Sequence, residues 1–85
     1  MSTAAAVKRL THHPDAPALY LIPTAFGGQD EAHRADVGWA VGHYSREVEM
    51  YEATPTNPDA VSAASHLRHW QGILAAIDAF EGVAA

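Results

Sequence analysis

The side chains best suited to chemistry in this chain are imidazoles and carboxylates, and two groups of them carry helical spacing. His66 and His69 stand three residues apart, a separation at which two imidazoles on one helix can share a metal ion. They would lie about 60° apart around that helix. No carboxylate stands nearby in sequence to complete a ligand set, and there is no H-E-x-x-H. An imidazole at the edge of the core, satisfied by one hydrogen bond, accounts for His66 more simply than a ligand or a proton switch. Asp36, His43 and Glu47 are spaced seven and four and would form a row of carboxylate, imidazole and carboxylate on a second helix. Such a row could orient a general base or bind a metal. A solvated face with one His–Glu pair at i, i+4 explains it more simply. His12-His13 falls in a predicted loop beside Pro14, exposed and inert.

Nucleophilic chemistry has little support. No G-x-S-x-G occurs, and no Ser has a matched base. Gly27-Gly28 is followed by Gln29, Asp30 and Glu31, and it lacks the lysine and the other glycines of a phosphate loop. There is no cysteine, so disulfides and thiolate–metal clusters are excluded. A chain of 85 residues also has little core from which to build a dry, shaped cleft. The expectation is a protein that is not an enzyme, with no catalytic residue, no metal ligand and no cofactor.

The size fits one domain, residues 1–85, with residues 1–17 as a segment that can fray, of which residues 1–13 could form a short helical turn capped by Ser2 or Thr3 and residues 13–17 read as a loop. The net charge of −5 is unevenly placed. Residues 1–29 sum to +1, residues 30–59 to −5 and residues 60–85 to −1. An acidic centre disfavours direct binding to nucleic acid, whose phosphates need Lys and Arg. It suits a partner protein with a basic or mixed surface. No run approaches the roughly 18 apolar residues of a membrane span, and the first ten residues do not form a secretory leader. A cytoplasmic protein without membrane contact is expected.

The elements that must position these groups follow from periodicity. Val37, Val41, Tyr44, Val48 and Tyr51 fall within ~80° of arc at 100° per residue, the seam of a helix. Asp30 is a candidate N-cap for it. Asn57-Pro58-Asp59 opens a second helix and Gly82 closes it. Its residues Leu67, Trp70, Ile73, Leu74, Ile77 and Phe80 cover ~140° of one face, with Ala63 and His66 among them. Ala18–Ile22, between Pro17 and Pro23, has the length of a strand, whose backbone groups would need a partner. The predicted architecture is mainly α: an antiparallel helical hairpin of about residues 30–53 and 58–81 with a short N-terminal extended segment. The competing architecture is α+β, with residues 18–22, 37–44 and 47–53 as a small antiparallel sheet on the C-terminal helix. Gly38 and Gly42 argue for it, since glycine weakens a helix interior.

In the helical reading Trp39 and Met50 lie within about 20° of each other on the side away from the seam. Leu19, Leu21 or Ile22 could cover them; otherwise they form an exposed patch beside Glu47, Glu49 and Glu52. Gly38 and Gly42 would let another backbone approach beside Trp39. Trp39, Met50, Glu47, Glu49 and Glu52 are therefore the candidate partner-binding residues. The expected function is that of a small acidic interaction module that inhibits or assembles with a larger macromolecule, with self-association as a variant. A short acidic, Ala-rich chain of this type resembles phage and mobile-element accessory products, although no motif carries that likeness. A nucleic-acid mimic that competes for a basic groove is the alternative, and a small metal-binding or acid–base protein the third.

Overall fold

The computed structural model describes residues 6–13 and 15–82, and the side chains of all of these except residues 11–13. Among the described residues there are three strands, β1 (Lys8–His13), β2 (Ala16–Pro23) and β3 (Gln29–His33). Two helices follow, α1 (Arg34–Met50) and α2 (Pro58–Glu81). The strands form one antiparallel sheet in the order β1-β2-β3. The fold is α+β, which corrects the expected helical hairpin with an extended segment. The expected α+β alternative also fails in its particulars, because residues 37–44 and 47–50 are helical rather than paired strands.

The Ala18–Ile22 segment is the centre of the sheet, and its backbone groups find partners on both sides. Tyr20 lies opposite Arg9 on one side and Ala32 on the other. The side chains of β2 alternate: Ala18, Tyr20 and Ile22 are buried under the helices, while Leu19 and Leu21 lie half-buried on the outer face. Lys8, Leu21 and Glu31 make a cross-strand row on that outer face. The N-terminal segment was expected to fray, yet Lys8–His13 is a strand, so His12-His13 belongs to β1 and not to a loop. Ser2 and Thr3, expected as caps, lie outside the described residues.

Residues 30–33, expected to open the first helix, end β3 instead, and Asp30 is not an N-cap. The helix starts one residue after His33, whose N–H donates to Asp36 Oδ2 at 3.0 Å. The His33 ring donates from Nδ1 to the Ala18 carbonyl at 3.0 Å, which ties the helix start to β2. The second helix begins as Asn57 accepts a hydrogen bond from Asp59 N–H at 2.9 Å. It ends at Gly82, which adopts φ 71°, a left-handed conformation that favours glycine.

Tyr20, Val37, Ile73 and Ile77 are the largest fully buried side chains among the described residues, and all four lie at the sheet end. Half of the twelve buried apolar residues there and along the hairpin are alanines. Ala40, Ala60 and Ala63 supply little burial but let the two helices run close together. The far half of the hairpin, from Tyr44 round to His66, therefore stands out from the sheet with a thin core. Such a region opens at lower free energy than the sheet end. The body is elongated, 45 × 23 × 19 Å. Among the described residues no helix is long and apolar enough to cross a membrane.

Opposite charges lock the sheet end. Arg34 Nε lies 2.6 Å from Asp78 Oδ1 and 3.9 Å from Glu81 Oε1. Tyr20 donates its hydroxyl to Glu81 Oε2 at 2.8 Å. A cation in a first helical turn and anions in a last one are unfavourable for their own helices. Here the antiparallel packing gives each charge to the neighbouring helix end, where its sign is favourable. The hydrogen bond to Asp78 holds the Arg34 guanidinium above its ordinary pKa. Burial, then the hydrogen bond to Glu81, raises the Tyr20 phenol above its ordinary 10.0.

Candidate functional site

Of the expected site residues Trp39, Glu49, Met50 and Glu52 are exposed and Glu47 is half-buried, but Trp39 and Met50 do not make one patch. Trp39 is 67 % exposed and Met50 71 % exposed. They lie on the same side of α1, yet eleven residues place them about 16 Å apart along its axis. Leu19, Leu21 and Ile22 do not cover them: the first two face outward from the sheet and Ile22 enters the core. Among the described residues no backbone of this chain lies against Gly38 or Gly42. A Cβ at Gly38 would meet nothing, and one at Gly42 only Arg46 Nη1 at 3.6 Å.

Met50 belongs instead to the tip of the hairpin with Glu47, Glu49 and Glu52. From Glu47 through Leu67 the chain carries four carboxylates and neither Lys nor Arg. Helical geometry puts Glu47 on one flank of α1 and Glu49 and Glu52 on the other, with Met50 between. Each flank opens into a recess. Glu49 and Glu52 rim an apolar one of about 310 Å³, lined by Val48, Tyr51, Pro55, Ala60 and Ala64. Glu47 and Asp59 rim one of about 350 Å³, lined by Tyr44, Tyr51, Ser62, Ala63 and His66. No basic residue stands in the last turn of α1. Glu47 and Glu49 therefore meet the negative end of the helix dipole with no Lys or Arg in that turn to offset them, an arrangement that costs local stability.

Rings continue from the tip toward the sheet. Trp39 stacks on His43 with centroids 5.0 Å apart and planes 8° from parallel. His43 meets Tyr44 edge-on at 5.0 Å. Tyr44 of α1 stacks on His66 of α2 at 4.9 Å and 19°. That stacked pair lines the Glu47–Asp59 recess and also a third cleft of about 220 Å³, so the two are neighbours. The third cleft is completed by Trp70 and His69 of α2, by Ile22 and Asp30 of the sheet, and by the Pro23–Phe26 turn. His69 donates from Nε2 to the Pro23 carbonyl at 3.1 Å and fixes the turn against the helix. Sequence reasoning missed Phe26 and Asp30; an aromatic just before Gly27-Gly28 was the available signal.

The acid–base and metal constellations come apart. Asp36 is spent on the start of α1. His43 Nε2 lies 3.5 Å from Glu47 Oε1, as an i, i+4 pair on the surface. His66 packs on Tyr44 while His69 binds the Pro23 carbonyl. Among the described residues no group of three or more His, Cys, Asp or Glu side chains is arranged to hold a metal ion. Compared with family models, with curated proteins and with solved structures, the chain matches none.

Proposed function

We propose that this protein is an acidic docking module whose helical tip engages a basic surface of a larger cytoplasmic protein and so inhibits or assembles with it. The supporting observation is the tip itself: carboxylates without a cation, set around two recesses and an exposed methionine. Long-range attraction from such a tip would speed encounter, and Met50 would add contact once docked. Carboxylates kept at an unfavourable helix end support the same reading, because they are not there for the fold.

The slender, acidic body also favours a more specific version, in which the basic surface is a groove that otherwise holds nucleic acid. Affinity capture from the native host tests both versions. Wild-type protein is compared with a Glu47→Gln, Glu49→Gln, Glu52→Gln variant that circular dichroism shows to be folded. A protein retained by the wild type and lost by the variant is the expected result. Release of that partner's nucleic acid on binding identifies the groove version. If the variant retains every protein that the wild type does, the tip is not the docking surface. Capture of only a second copy of this chain would replace the partner with self-association.

A further inference from the structure

The cleft between the Pro23–Phe26 turn and α2 has features that the acidic tip does not explain. Phe26 is 96 % exposed. Its turn is nevertheless well braced. Thr24 N–H donates to the Gly28 carbonyl at 2.9 Å and Gly27 N–H to the Thr24 carbonyl at 3.3 Å. The Thr24 hydroxyl accepts from Gly28 N–H at 3.0 Å. Gly27 takes φ 88°, which a residue with a side chain rarely adopts. The fold thus holds a phenyl ring in water on a braced turn, at a cleft that also contains Tyr44 and Trp70. Asp30 lies opposite Ile22 in the β2–β3 register, so its side chain is on the helix side of the sheet, toward the cleft. Its Oδ1 accepts from Glu31 N–H at 2.8 Å. The cleft has no Lys or Arg in its lining.

Aromatic rings beside one carboxylate, with neither Lys nor Arg in the lining, suit a cationic side chain. We propose that the Phe26–Trp70–Asp30 cleft is a receptor for an arginine side chain of the basic partner. The guanidinium plane lies against a ring and donates to the carboxylate of Asp30. Arginine is favoured over lysine because its planar, weakly hydrated head can stack and hydrogen-bond at once. The Glu47–Asp59 recess shares Tyr44 and His66 with this cleft, so a basic segment docked at the tip has the cleft beside it. The assignment rests on the docking reading for its partner, but the cleft itself can be tested alone.

The test is a titration of the full-length protein with acetyl-Gly-Arg-Gly-amide, followed in ¹⁵N–¹H NMR spectra. The two indole N–H signals provide an internal comparison, because Trp70 lines the cleft and Trp39 does not. Saturable shifts of Trp70 and of the Phe26 and Glu31 amides, with Trp39 unmoved, are expected. The citrulline peptide, equal in shape but uncharged, and the Asp30→Asn and Phe26→Ala variants should each bind at least about fivefold more weakly. Equal response to citrulline, an unaltered response in Asp30→Asn, or no saturation by about 50 mM peptide would overturn the proposal. Glu49→Lys should leave the arginine response intact. If that variant loses the captured partner while the cleft never responds to arginine, docking at the tip stands and the arginine cleft falls.

Discussion

Tyr44 of α1 and His66 of α2 stack at 4.9 Å, and this pair helps join the two helices where the sheet no longer supports them. It also lines both recesses along that side of the hairpin. Tyr44→Ala should therefore loosen the tip while sparing the sheet end. The expected loss is about 1–3 kcal/mol. Amide exchange should accelerate for residues 44–66 and stay slow at Tyr20, Val37, Ile73 and Ile77. Uniform acceleration over the whole chain would show that the tip is not a separate unit.

Gly38 sits on an exposed stretch of α1 with open space where a Cβ would go. Gly38→Ala is expected to stabilise the protein by about 0.5–1 kcal/mol, read from the urea midpoint. A loss of stability would mean that some backbone does approach this face.

Tyr20 gives the fold a defined alkaline limit. Its folded pKa is raised above 10.0, so the proton is held more tightly in the folded state. That stability is fully present below pH ~10 and is lost as pH rises through the folded pKa. Wild-type protein should weaken steeply over that window in urea titrations. Tyr20→Phe keeps the ring and should flatten the decline, at the cost of the hydrogen bond to Glu81. Parallel pH curves for the two proteins would rule the phenol out as the cause.

Glu49 separates stability from binding. Glu49→Gln removes a negative charge from the C-terminal turn of α1 and should stabilise the fold by about 0.3–1 kcal/mol. The same change should reduce retention of the partner. A variant that is less stable, or that binds as well as the wild type, would contradict the reading of the tip.

Much of the helical part was legible in the sequence because its signals are local. Asn57, Pro58 and Gly82 mark α2 by their own backbone chemistry, and the Val37–Tyr51 periodicity survives two glycines in α1. The sheet was legible only as a question. Ala18–Ile22 plainly needed partners, but those partners are edge strands of polar composition, Lys8–His13 and Gln29–His33. Only Ala32 of β3 enters the core, so no alternation announces that strand. Asp30-Glu31 resembled a helix start because acidic residues suit one, and pairing with β2 outweighed that local preference. Helical angle alone placed Trp39 and Met50 away from the seam, but not whether Leu19, Leu21 or Ile22 would cover them. The cleft was not legible, because Trp70 is far in sequence from Phe26 and Asp30 and shares a cleft with them only once sheet and helix have packed.

The most direct test of the account is the dissociation constant of the captured partner for wild type and for the Glu47→Gln, Glu49→Gln, Glu52→Gln variant at low and high salt. The account predicts at least about tenfold weaker binding of the variant at low salt, with little remaining salt dependence. Equal constants for the two proteins, with equal dependence on salt, would contradict it.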